Sequence, residues 1–140
     1  MRFMLLMIPG GYEDAKPGWT PDAAAISTMM KYNESLQKAG VLLALDGLHP
    51  PSTMGARVTF SAGKPKVTDG PFAEAKEVVG GFWIIQAKSR EEAIEWASRC
   101  PAGANDAIEV RRLFEIADFP ADVQAGFPEL QSAAGQTTEP

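Results

Sequence analysis

Cysteine and histidine are the scarcest chemistry-bearing residues in this chain, at one each, and their scarcity excludes several mechanisms. Cys100 alone cannot form an internal disulfide, so a reducing, cytoplasmic setting is expected. His49 alone excludes a multi-histidine metal site. Lys and Arg number 13 against 18 Asp and Glu, a net charge of −5 with a pI near 4.9, and nowhere cluster into the basic stripe that direct contact with nucleic acid requires. Long apolar runs are missing as well. Phe3 to Ile8, preceded by Arg2, superficially resembles a signal sequence, but it stops at Pro9-Gly10-Gly11 and reads better as a strand buried on both faces. Nothing later is long enough to span a bilayer, so a soluble protein without a membrane partner is expected. Gly10-Gly11 follows a strand but lacks the remaining spacing of a phosphate loop, and no nucleotide or other cofactor is implied.

What is present is enough for one ordinary domain, since 140 residues bury a core without staples. After the first strand comes a Gly- and Pro-rich loop whose large side chains are Tyr12 and Trp19. Thr20-Pro21-Asp22 then predicts a helix start, with Thr20 as N-cap and Pro21 at the first helical position. Ile26, Met29, Met30 and Leu36 form its apolar stripe, and Gly40 is its expected left-handed end. Val41 to Leu45 reads as a second buried strand, ended by Pro50-Pro51. Alternation from Ala56 to Phe60 predicts a half-buried strand, turning at Gly63-Lys64-Pro65 into a short return through Lys66, Val67 and Thr68. Phe82 to Ile85 reads as a central strand, and Ser89 with Glu92 forms a capping box that opens a second helix. Ile108, Val110 and Phe114 alternate with charged residues in a last strand.

This order predicts an α+β fold, a ferredoxin-like βαββαβ with an inserted β-hairpin and loop, in which both helices cover one face of an antiparallel sheet. The strands read as apolar on both faces, so a homodimer that pairs two sheets across a two-fold axis is expected. Residues 1–118 form the expected domain, and residues 119–140 a tail, partly disordered, that packs through Phe119, Phe127 and Leu130 before it frays.

One stretch carries more chemistry than a connection needs. Val67-Thr68-Asp69-Gly70-Pro71-Phe72-Ala73-Glu74-Ala75-Lys76-Glu77, followed by Gly80-Gly81-Phe82, resembles the signature of the DGPF proteins of the YCII-related group. The resemblance continues through Gly40 to Pro51, Glu92 to Ala97 and Ile108 to Arg111, covering roughly residues 1–116. It implies a dimeric α/β barrel built from ferredoxin-like subunits. It implies no established activity, although some DGPF proteins are associated with extracytoplasmic-function sigma factors. Related YCII proteins include a dehydrochlorinase-type enzyme acting on a chlorinated hydroxyquinol through a His-Asp pair, and the superfamily includes muconolactone isomerases and small monooxygenases. Those enzymes carry their histidine in the first helix region, whereas His49 follows the second strand, so that dyad is not transferred.

The candidate site residues each have two readings. His49 is either a general acid or base, oriented by Asp46 or Asp69, or a turn histidine beside two prolines. Glu74, Lys76 and Glu77 either line a pocket, with Lys76 binding an anionic group, or form local ion pairs that fix the loop. Arg111 either pairs with a carboxylate or lies on the surface of an edge strand. Asp69, Glu74 and Glu77 lack the spacing of a calcium loop, and no metal is expected. Cys100 ends a helix, the wrong end to lower its pKa, and reads as inert. Together these residues predict a cleft between the sheet and the Asp69 to Gly80 loop that takes a small organic ligand, with acid-base chemistry by His49 and Asp69. The alternative is an interaction module for which the loop is a docking surface, linked to a sigma factor.

Overall fold

A computed structural model describes residues 1–72 and 76–126. Glu74 and the expected tail contacts of Phe127 and Leu130 lie outside the described residues. The elements are β1 (Arg2–Ile8), α1 (Ala23–Lys38), β2 (Leu42–Gly47), β3 (Ala56–Ser61), β4 (Lys64–Asp69), β5 (Gly81–Gln86), α2 (Arg90–Ser98), β6 (Ala107–Arg112) and α3 (Ala121–Gly126). The main sheet has the order β2-β5-β1-β6 and is antiparallel throughout. This is the ferredoxin-like α+β arrangement, with β3 and β4 inserted as a separate two-stranded hairpin.

Alternation along β1 decides which face is the core. Phe3, Leu5 and Met7 are buried, while Arg2, Met4, Leu6 and Ile8 between them are half-buried. The register carries this pattern across the sheet, because Leu5 lies opposite Trp83 and Val110, and Phe3 opposite Ile85. These side chains meet Tyr32 and Leu36 of α1 and Ala93 of α2 in one cluster. Leu5, Leu36 and Ile85 are fully buried, and truncation of any of them to Ala costs about 2–5 kcal/mol. Tyr32 sets its ring edge-on to Trp83 at 5.5 Å and donates its hydroxyl to the Trp96 carbonyl at 2.8 Å, which ties α1 to α2. Burial raises the pKa of that hydroxyl.

The other face of the sheet carries Met4, Leu6 and Ile8 beside Phe82 and Ile84, all half-buried in the single chain. The apolar two-sidedness read from the sequence is therefore real in composition, but the helices cover one side only.

Several local readings change. Asp22, not Thr20, caps α1, accepting the Ala25 N–H at 2.7 Å, because a carboxylate directly before the first turn satisfies an orphan donor that Thr20 is too early to reach. Gly40 takes the left-handed conformation as expected. At α2, Ser89 accepts the Glu92 N–H at 3.1 Å, while the Glu92 carboxylate reaches one residue further back than a standard box, to the Lys88 N–H at 2.7 Å. The second strand is displaced to Leu42–Gly47 and is an edge strand with a register irregularity between Leu42 and Ala44, so Leu43 and Ala44 are exposed. The hairpin strands, expected half-buried, are exposed along their whole length, since they pair with each other and not with the main sheet. The last strand ends at Arg112. Phe114 lies beyond it, stacked on Phe119 at 5.3 Å.

Candidate functional site

The α1 stripe read from the sequence divides along the helix. Leu36 and Met29 pack on the core, whereas Ile26 and Met30 remain exposed. Over its first half, then, α1 stands away from the sheet. The space below it is a cavity of about 860 Å³, bounded by that half of α1, by the loop after β1 and by the ends of β1, β2 and β5. Its walls are aromatic and thioether-bearing: Tyr12, Trp19, Trp83, Met7, Met29 and Met30, with Leu45 and Leu48. This volume suits a small organic molecule, and apolar walls with few polar groups are the usual composition of such sites.

Neighbouring groups hold the walls in place. Tyr12 is buried, donates its hydroxyl to the Leu48 carbonyl and meets Trp19 edge-on at 5.5 Å, and burial raises its pKa. Trp83 donates its indole N–H to Asn33 Oδ1 at 2.7 Å, which fixes the ring as part of the floor. Of the acidic groups at the lining, Asp22 is occupied by the helix cap, and Asp106 accepts the N–H groups of Gly10 at 2.9 Å and Gly103 at 2.7 Å. Asp46 and His49 also line the cavity, and neither has a hydrogen bond or ion pair among the described residues.

His49 is positioned by the turn that follows it. Pro50 is fully buried, and the Pro50 and Pro51 carbonyls accept the N–H groups of Thr53 at 2.9 Å and Gly55 at 3.1 Å. Ser52 donates to the Ala15 carbonyl at 2.6 Å and Thr53 Oγ1 accepts the Gly18 N–H at 3.0 Å, binding this turn to the loop after β1.

The Asp69-Gly70-Pro71 turn closes the same assembly from the other side. The Gly70 N–H donates to the Gly55 carbonyl at 2.9 Å, and a Cβ on Gly70 would lie 2.1 Å from the Pro51 oxygen. No other residue fits that approach. The motif thus packs behind the His49 turn and stays outside the cavity.

The residues singled out from the sequence are accordingly dispersed. The structure brings Asp46 and His49 to one cavity. Asp69 is exposed at the end of β4, opposite Ala56, and does not line it. Lys76 and Glu77 are exposed and outside the lining. Arg111 sits on the uncovered sheet face, 3.8 Å from Glu109, an exposed pair worth roughly 0–1 kcal/mol. Glu115 is taken by Arg2, whose guanidinium meets both carboxylate oxygens at 3.0 and 3.2 Å. Among the described residues of the 69–80 loop, Gly80 alone is shared by the expected cleft and the observed cavity. Asn33, Trp19 and Tyr12 were not legible as site residues. Their signal was weak, namely two large aromatics in a loop of small residues and one amide beside an apolar stripe. Among the described residues no group of three or more Cys, His, Asp and Glu side chains gathers as metal ligands, and no helix is long and apolar enough to cross a membrane.

Residues 1–117 match the model of the YCII-related domain family. An uncharacterised protein of Rhizobium meliloti (strain 1021) is 47% identical over 47 residues, which is 34% of this chain. The match spans 38% of that relative's length.

Proposed function

The chain belongs to the YCII-related family, and from that premise we propose that it is a homodimer that binds a small, mostly apolar organic molecule beside α1, with His49 donating or accepting a proton at the mouth. The observation that carries this reading is the cavity of about 860 Å³, walled by Trp83, Tyr12 and methionines and holding an imidazole and a carboxylate that have no hydrogen bond or ion pair among the described residues. Apolar walls supply binding energy, at about 25 cal/mol per Å² covered, and the few free polar groups set orientation. An imidazole can act as general acid or general base, and Asp46, which shares the cavity lining with His49, is a better choice for its partner than Asp69 outside it. The dimer rests on the sheet face of Met4, Leu6, Phe82 and Ile84, which a second copy would cover.

Tryptophan fluorescence tests the reading, with aromatic and lactone ligands titrated against the wild type and His49→Ala. The expected result is saturable quenching for at least one chemical class in both proteins, with turnover, where found, lost in His49→Ala. A flat response from every class overturns it. The rival reading, a docking module for another protein, takes the exposed Asp69, Lys76 and Glu77 of the loop as its surface. A pull-down in which a stable partner is lost on Lys76→Ala, with no ligand found, would favour it.

A further inference from the structure

Asn33 is the polar side chain of the cavity whose orientation its neighbour settles. An indole nitrogen is a donor and never an acceptor, so the Trp83 N–H, 2.7 Å away, meets the oxygen of the Asn33 amide. The two N–H groups of that amide therefore point elsewhere, and they have no acceptor among the described residues. They stay unsatisfied until water or a ligand accepts from them. They are also reachable. Among the described residues that are not exposed, the one side-chain nitrogen or oxygen sealed in without a partner is Glu13 Oε2, so Asn33 Nδ2 keeps access to the space that the residue lines.

The helix places this donor among apolar walls. Spacings of four, three and four carry one stripe of α1 from its cap at Asp22 through Ile26 and Met29 to Asn33, and all four residues line the cavity. The amide thus stands beside thioether and indole surface, where a hydrogen bond is stronger than in water.

Charge narrows what can accept from it. No Lys or Arg lines the cavity among the described residues, whereas Asp22, Asp46 and Asp106 do. The N-terminus of α1, which would otherwise favour an anion, is already capped by Asp22. A carboxylate or phosphate would enter against like charge, with His49 as its one offset. We propose that Asn33 is the specificity-determining residue of the cavity, its amide donating to the oxygen of an uncharged carbonyl compound, a ketone or ester with an apolar body. This rests on the ligand reading above and names the class of ligand.

Equilibrium dialysis of the full chain against methyl naphthyl ketone, ethylnaphthalene and naphthoate tests it, because these probes share a ring system and differ in one substituent. The ratio of ketone affinity to hydrocarbon affinity is the readout, since effects common to both probes cancel. Asn33→Asp keeps an acceptor for the Trp83 N–H and removes both donors, and Asn33→Leu removes the donors without adding charge. Each should lower the ratio about three- to tenfold, the worth of one neutral hydrogen bond. A residue that only held Trp83 in place would leave the ratio unmoved in Asn33→Asp. If ethylnaphthalene binds and neither variant moves the ratio, the Asn33 assignment is overturned and the ligand site stands. Naphthoate should bind at least about tenfold more weakly than the ketone, and tighter binding of naphthoate overturns the uncharged class. If none of the probes binds, the ligand reading fails and the assignment fails with it.

Discussion

Replacing Gly70 with alanine is the sharpest perturbation the structure offers, because the added atom has nowhere to go. The Cβ would lie 2.1 Å from the Pro51 oxygen, 2.6 Å from its carbonyl carbon and 3.0 Å from its Cβ. Relief requires a separation of roughly 1 Å between two backbone segments, and neither is free to move. Pro50 and Pro51 are buried, and the Gly70 N–H is held by Gly55. Overpacking of this kind costs about 3 kcal/mol. At roughly 2.1 cal/mol/K of unfolding entropy per residue, 140 residues convert that cost to a fall in Tm of about 10 °C. Thermal melts followed by circular dichroism measure it. Gly63→Ala is the control, since Gly63 has a positive φ, at 78°, which Gly70 lacks, and its Cβ would meet nothing within 4 Å. It should lose only the left-handed backbone penalty of about 1 kcal/mol. Equal melting of the two variants, or a Gly70→Ala protein within about 2 °C of wild type, would refute the packing argument.

Three further outcomes follow from individual groups. Asp69→Ala should change stability by less than about 0.5 kcal/mol and leave ligand quenching intact, because the side chain is exposed and outside the cavity; lost binding would return it to the site. Burial, aided by the Asp106 charge, pushes the Cys100 thiol up to about 11, so its thiolate fraction at pH 8 is roughly a hundredfold below that of an ordinary thiol, and its reaction with a disulfide reagent should be slower in proportion; rapid labelling of the native protein would contradict this. Tyr32 and Cys100 both have folded pKa values above their ordinary ones, so the unfolded chain loses protons first and stability falls as pH rises from about 9; urea midpoints that hold constant from pH 8 to 11 would show the groups to be less buried than they are here.

Local chemistry was legible in the sequence where a signal acts within a few residues, although the cap of α1 fell on Asp22 and not on Thr20. Ser89 and Glu92 announce α2 because a cap involves only its own turn, and Gly40 ends α1 for the same reason. The strand order follows from apolar runs and their punctuation. What fails is the environment of each strand. Ala56 to Phe60 alternates as a half-buried strand does, and the pattern is present in the hairpin, but alternation records that one face is to be covered without recording by which molecule. Val41 to Leu45 reads as buried because its composition is apolar, yet its position at the sheet edge depends on where β5 inserts. The cavity was least legible. Its walls are joined by Tyr12 reaching Leu48 and by Trp83 reaching Asn33 of α1, contacts spanning 36 and 50 residues that no local pattern records.

The DGPF stretch gains a mechanical role from this arrangement. Asp69-Gly70-Pro71 places no side chain in the cavity, but Gly70 locks Gly55 and Pro51 together, and that joint has two outputs. On one side it fixes the turn that carries Leu48 and His49 to the cavity mouth, and on the other it sets the root of the β3 and β4 hairpin. A ligand at the proposed site that touched Leu48 or His49 would rest on the same backbone that sets the root of the hairpin. If the proposed ligand site is correct, Gly70→Ala should weaken ligand quenching as well as lower Tm, because the turn that carries His49 has to shift. Ligand affinity that is identical in Gly70→Ala and wild type would mean that the joint holds the hairpin root without bearing on the cavity.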